Sequence, residues 1–164
     1  MSTVLAEPVA SERPKAEEAR LSRKDIIKAV FGELLLAETR IISESDVELF
    51  AKLFGDYNRI HFSDDYARSV RRMKLKARIV HGMHPLGLIS GIIGMQFPEG
   101  SQVYRGKEEW LRPIYVNQPF RILVAMKEPG LCRNTVQVSV WPVSADGVDS
   151  VAINAEFIIL LPKS

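Results

Sequence analysis

Apolar residues recur along this chain in two different rhythms, and the change of rhythm marks out its elements. Ser43 followed by Asp46 has the spacing of a capping box, which satisfies free N–H groups in the first turn of a helix. Val47, Phe50, Ala51 and Phe54 then fall at helical spacing on one face, and Gly55 stands where a left-handed terminator is favoured. Ser63-Asp64-Asp65 is a second capping signal, for a short helix through Arg68. A third helix is expected from Met83 to Met95, with Pro85 tolerable only in its first turn. Leu86, Leu88, Ile89, Ile92, Ile93 and Met95 surround that helix on most sides, the pattern of a helix wrapped by other structure.

Strand signals take over elsewhere. Leu35 to Ile42 reads as a first strand, and Val136-Gln137-Val138-Ser139-Val140 alternates strictly. Val151 to Leu161 is rich in β-branched and aromatic residues, while Tyr104–Tyr115 and Phe120–Met126 are weaker strand signals joined through Asn117-Gln118-Pro119. Ala145-Asp146-Gly147 marks a turn between the last two strands. Consecutive strands with tight links predict an antiparallel sheet. With one apolar helix this gives an α+β fold, the sheet wrapped around the helix. Residues 1–24 mix Ala, Glu, Pro, Lys and Arg with few large apolar side chains and are expected to be a flexible tail, leaving 25–164 as one domain.

Composition narrows the function classes. The 164 residues carry 22 Lys+Arg against 20 Asp+Glu, a balance that gives no electrostatic case for nucleic-acid binding. Cys132 stands alone, so no intrachain disulfide or zinc cluster is expected, and a reducing, cytoplasmic setting fits. Glu7 and Glu12 fall where a signal peptide would be apolar. The uncharged stretch from Ile79 to Pro98 has four glycines, two prolines and two histidines, which suits a buried helix better than lipid. No membrane partner is expected.

Two places hold candidate chemistry. Asp56 and His61 lie just past the first helix, in a loop able to present both to a cleft. A carboxylate and an imidazole sharing one water can divide the work of taking and returning its proton. The turn His81-Gly82-Met83 opens the apolar helix, where free N–H groups and the helix dipole favour developing negative charge. On spacing alone, capping or surface roles remain open for Asp56 and His61, as does a core role for His81.

In order and spacing, Gly55-Asp56-Tyr57-Asn58-Arg59-Ile60-His61, Tyr66-Ala67, Arg78-Ile79-Val80-His81-Gly82-Met83, Leu88-Ile89-Ser90-Gly91 and Leu111-Arg112-Pro113-Ile114-Tyr115-Val116 resemble the MaoC-like dehydratases, the (R)-specific enoyl-CoA hydratases. The resemblance spans roughly residues 37–160 and implies the hotdog fold. It further implies reversible hydration of trans-2-enoyl thioesters carried on coenzyme A or an acyl carrier protein, in a homodimer, without a metal or redox cofactor. Asp56 and His61 then match the pair that holds the water, and Gly82 the amide that polarises the thioester carbonyl. Asn58 matches the loop-orienting asparagine and Ser90 a serine that supports the catalytic loop. His81, Arg59 and His84 complete the candidate substrate-contacting set. A non-catalytic thioester binder and a hotdog thioesterase are the alternatives.

Some positions depart from the family pattern. Arg59 replaces a proline, and two consequences are expected of it: an effect on the nearby Asp56 carboxylate, or contact with a substrate phosphate. His84 and Pro85 replace small or apolar residues beside the Gly82 turn, and Lys107-Glu108-Glu109 suggests an altered acyl pocket or a solvated edge strand. The run from Arg68 to Arg78 has six cations and no acid, expected near the mouth of the site. Trp110 and Trp141 read as packing residues.

Overall fold

In a computed structural model of the chain, which describes residues 33–144, 147–148 and 150–162, an antiparallel sheet curls around one long helix. The predicted tail and the residues Ala145 and Asp146 lie outside the described residues. Strands β1 (Glu33–Arg40), β2 (Gln102–Trp110), β3 (Phe120–Glu128), β4 (Arg133–Ser144), β5 (Gly147–Val148) and β6 (Ile153–Leu160) join helices α1 (Glu44–Phe54), α2 (Asp64–Ser69) and α3 (Met83–Gln96). The sheet order is β1-β3-β4-β6-β2, with β5 paired to β4, so β1 and β2 form the two edges. This is the α+β hotdog arrangement.

Period-2 alternation sets which face is inward. Ile122 and Val124 of β3, Val136, Val138 and Val140 of β4, and Ile153, Ala155 and Ile159 of β6 are all buried. They share one core with Ile89, Ile92 and Ile93 of α3. The sheet therefore covers one face of α3. Its opposite face, with Gly87, Ser90, Gly91, Gly94 and Met95, is exposed, so a single chain wraps the helix less completely than the all-round apolar pattern predicts.

The ends of several elements differ from the sequence expectation, each for a local reason. Strand β1 stops at Arg40 because Ile42 turns into the core and its carbonyl accepts the Asn117 N–H at 2.9 Å. Strand β2 stops at Trp110, because the N–H groups of Leu111 and Arg112 both turn to the Ala152 carbonyl, at 2.8 and 3.2 Å. The stretch to Tyr115 is therefore a loop, and a bridge between Ile79 and Tyr115 ties its end to residues 78–80. Lys107, Glu108 and Glu109 lie on the largely exposed edge strand β2, the solvated-edge alternative.

Candidate active site

The loop that leaves α1 is fixed by its own side chains. Ser43 and Asp46 form the expected reciprocal cap at the start of α1, and Gly55 ends it in the left-handed region at φ 75°. One residue later the Asp56 Oδ1 accepts the Asn58 N–H at 3.1 Å, and the Asn58 Oδ1 accepts the Ile60 N–H at 3.3 Å. Asn58 thereby caps the single 3-10 turn, Arg59–His61, that carries His61.

Residues 78–80 form the second half of the frame. They run extended between two partners, with Ile79 N–H to the Ile60 carbonyl and Val80 N–H to the Ile114 carbonyl. The Val116 N–H closes the clip on the Arg78 carbonyl. A small satellite core of Ala67, Leu75 and Ile79, with Ile60 and Tyr115 against it, packs beneath. This clip delivers His81 and Gly82 to the 3-10 turn.

The two histidines then stack, ring centroids 3.9 Å apart. His61 Nδ1 lies 2.8 Å from the Ile79 carbonyl, which can only accept, so its proton sits on Nδ1 and Nε2 presents a lone pair. The Asp56 Oδ2 stands 3.8 Å from that Nε2. Burial, more than any other influence, holds the His61 pKa below its ordinary value, with the Ile79 carbonyl and Asp56 opposing. The pair is thus a carboxylate and a neutral imidazole, two acceptors separated by a gap too wide for a direct bond.

His81 is almost wholly buried, and its Nε2 donates to the main-chain carbonyl of Asp56 at 2.9 Å. It holds the loop rather than facing a cleft. Phe50 of α1 stacks on both His81, at 4.7 Å, and His84, at 5.0 Å, so His84 is packed against α1. Burial lowers the His84 pKa, partly offset by Asp46.

Ligand atoms of Asp56, His61 and His81 lie within 4.8 Å of one another, which raises the question of a metal. A metal-binding imidazole must offer a lone pair. His81 Nε2 instead spends its proton on the Asp56 carbonyl, so that atom offers no lone pair to an ion. The gap suits a water molecule better.

Gly82 begins α3 with no side-chain cap, and its N–H donates no hydrogen bond among the described residues. That leaves an amide at the positive end of the 14-residue helix free for an incoming oxygen. Trp110 lies across this turn. Its indole N–H donates to the Gly82 carbonyl at 3.1 Å, and a Cβ on residue 82 would sit 3.0 Å from Nε1. Trp110 is therefore part of the site rather than remote packing. Sequence reasoning passed over it because the contact crosses 28 residues.

His61, Gly82 and Trp110 all line a cavity of about 410 Å³, whose other walls include Met73, Leu75 and Ile114. Such a volume suits the acyl end of a ligand.

Other candidates lie away from this group. Ser90 is exposed two turns into α3, roughly 10 Å along the axis from Met83. It makes no hydrogen bond to the Asp56–His61 loop among the described residues, which corrects the supporting role expected of it. The Arg59 guanidinium lies over the Tyr66 ring, 4.6 Å from its centroid, with no ion pair to Asp56. Lys107 and Glu109 do not line the cavity, so the altered-pocket expectation for that stretch falls away.

Comparison with known proteins gives a consistent set of likenesses. Residues 27–147 match the family model described as the MaoC like domain. The (R)-specific enoyl-CoA hydratase of Rhodospirillum rubrum is 35% identical over 88 residues, covering 51% of this chain and 59% of that protein. The chain thus spans little more than half the length of that curated relative. The 3-hydroxybutyryl-CoA dehydratase of Methylorubrum extorquens is 30% identical over 123 residues, 74% of each chain. In structure, the (R)-hydratase from A. caviae matches with a TM-score of 0.67 at 23% identity, over 77% of this chain and 93% of its own, a likeness of fold.

Proposed function

The chain belongs to the MaoC-like domain family, and from that premise we propose that it adds water reversibly to the double bond of a trans-2-enoyl thioester. The observation that carries this reading is the 3.8 Å gap between Asp56 Oδ2 and His61 Nε2. Neither atom can donate to the other, so the gap is filled most favourably by a molecule with two protons to give. A water seated there donates one hydrogen to each and turns its lone pairs outward.

The rest of the chemistry follows from position. A thioester carbonyl resting on the Gly82 N–H, at the start of α3, has its developing enolate charge stabilised and electron density drawn from C3. The held water attacks C3, its proton passes to the Asp56–His61 pair, and a proton returns to C2 from the same face. Dehydration of a 3-hydroxyacyl thioester is the reverse. His81 acts through Asp56 and His61 as a positioning residue, and Asn58 fixes the loop.

This polar addition moves no electrons to an acceptor and so calls for no redox cofactor, and with the Gly82 N–H polarising the carbonyl the proposed reaction uses no metal. The carrier is coenzyme A or an acyl carrier protein. The working unit is a homodimer: β2 offers a nine-residue, largely exposed sheet edge, and the open face of α3 carries Gly87, Gly91 and Gly94, which admit close approach. No helix of the described residues is long and apolar enough to cross a membrane. The lone thiol of Cys132 is exposed, as a reducing, cytoplasmic setting permits.

The test is to follow enone absorbance and free thiol together on crotonyl-CoA. Absorbance should fall with no thiol released. Thiol release would make the protein a thioesterase, and no change in either signal a binder.

The pH profile carries its own expectation. His61 accepts from water only when neutral, and burial places its pKa below the ordinary 6.5. As pH falls through that lowered value the imidazole gains a proton, so kcat/KM should decline on the acid side below 6.5. Stability should fall over the same window, because the unfolded chain protonates first. A midpoint of activity loss above 6.5 would contradict the assignment of neutral His61 as acceptor.

A further inference from the structure

The turn that opens α3 is tethered through two adjacent residues to two different parts of the fold. His81 Nε2 donates to the Asp56 carbonyl at 2.9 Å and ties the turn to the loop of the acid–base pair. The Trp110 indole N–H donates to the Gly82 carbonyl at 3.1 Å and ties it to the edge of the sheet. No side chain caps α3, so this indole is the one side-chain hydrogen bond that Gly82 receives among the described residues. The main chain of Trp110 is itself well seated. It pairs with Ile153 of β6, and the Leu111 N–H that follows donates to the Ala152 carbonyl at 2.8 Å. Ala152 and Ile153 are both buried, so the indole stands on the core of the sheet.

The ring comes very close to the glycine. A Cβ on residue 82 would meet its Nε1, Cδ1 and Cε2 at 3.0, 3.5 and 3.6 Å. Gly82 has an ordinary right-handed φ of −57°, so what glycine supplies here is room for the indole. The N–H offered to a thioester carbonyl belongs to the planar peptide joining His81 to Gly82. That plane is held through the His81 carbonyl, which accepts the His84 N–H at 3.0 Å. The next plane, joining Gly82 to Met83, carries the carbonyl that Trp110 holds. Glycine has more backbone freedom than any other residue, so fixing the planes on both sides of it fixes where its amide hydrogen points.

We propose that Trp110 is a positioning residue for the reaction: its indole N–H, bonded to the Gly82 carbonyl, holds the Gly82 amide in the direction that meets the substrate carbonyl. This rests on the hydration reading for what the amide does, and it makes the indole a donor in the machinery rather than only a wall of the cavity it lines.

Two substitutions separate the donor from the bulk. Histidine keeps a five-membered ring with Nε2 at the place of the indole Nε1 and loses the fused ring, while phenylalanine keeps an apolar ring and loses the donor. The assay is crotonyl-CoA hydration at about pH 8, where an exposed imidazole is neutral. W110F should lower kcat about tenfold with KM little changed, as for a catalytic group left in place but misdirected. W110H should recover most of that loss. In G82P, which has no amide to direct, adding W110F should cost little more. The indole is half-exposed, so melting temperatures should stay within a few degrees of wild type. Relaxation of ¹⁵N on the same proteins gives a readout that needs no turnover. The order parameter of the Gly82 amide should be about 0.85 in wild type and W110H and fall below about 0.6 in W110F, with Asn58 and Ile60 unchanged. Full kcat in W110F, a raised KM at unchanged kcat, W110H poorer than W110F, or losses that add fully to those of G82P would each leave Trp110 a cavity wall and overturn the proposal. If the wild-type protein hydrates nothing, the hydration reading fails by itself, and the relaxation arm still decides the tether: a Gly82 amide equally ordered in wild type, W110H and W110F refutes it.

Discussion

Replacing Asp56 with Asn should lower kcat for crotonyl thioester hydration by roughly 10²- to 10⁴-fold, the usual worth of a positioned acid–base group. The substitution changes little else. Asp56 Oδ1 accepts only the Asn58 N–H, a bond an amide oxygen can still make. The bond from His81 goes to the main chain and is untouched. The side chain is half exposed, so no buried charge is removed and the melting temperature should hold within a few degrees. What is lost is the second acceptor: an amide nitrogen facing the gap donates, and a water there can no longer give one hydrogen to each side. KM should stay near wild type, because the thioester carbonyl meets Gly82 instead. Steady-state kinetics on purified variant and wild type decide it. An Asn variant with full kcat would remove the carboxylate from the chemistry and leave His61 without a partner.

That expectation draws on residues five apart in sequence, and much of what was legible in the chain has this local character. Ser43, Asp46 and Gly55 bound α1 where their spacing says, because capping and left-handed termination are settled within a turn. Ser63 starts α2 for the same reason. The core faces of β3, β4 and β6 follow their alternation, since one side of each strand must be buried. Contacts that decide the site's fine geometry are of another kind. The His81 bond to the Asp56 carbonyl spans 25 residues, and the Trp110 bond to the Gly82 carbonyl spans 28. No periodicity encodes either. His81 could be taken for a substrate contact and Trp110 for packing because their partners are backbone carbonyls, which carry no mark in the sequence.

Ser90 shows the opposite error. Its position looked informative through resemblance, yet the helix carries it two turns away from the loop it was expected to support. It sits on the open face of α3 with Gly87, Gly91 and Gly94, the face left for a second copy in the proposed dimer. The basic run was visible as charge but not as two groups. Only the fold shows that Arg68 and Arg78 brace α2 and α1 while the cations between them make no ion pair among the described residues.

The free amide of Gly82 gives the second large effect, and two substitutions separate its chemistry from its sterics. Gly82 has φ −57° and ψ −34°, a conformation that both alanine and proline adopt without strain. Its glycine identity is thus not required by a positive φ. Gly82→Ala keeps the N–H and adds a Cβ 3.0 Å from Trp110 Nε1, a contact the half-exposed indole can relieve by shifting a few tenths of an ångström. A modest loss is expected, several-fold at most. Gly82→Pro adds that Cβ with two further ring carbons and also removes the N–H, which no protein group uses among the described residues. Deleting one donor to a developing oxyanion costs about 10²- to 10³-fold in kcat, so the proline variant should fall far below the alanine one. Thermal unfolding of both variants checks that the start of α3 survives, as proline at a helix entry permits. If alanine and proline lose activity equally, crowding against Trp110 explains the effect and the amide is not the carbonyl's partner. A large gap between them, at similar melting temperatures, assigns the oxyanion contact to a single backbone hydrogen.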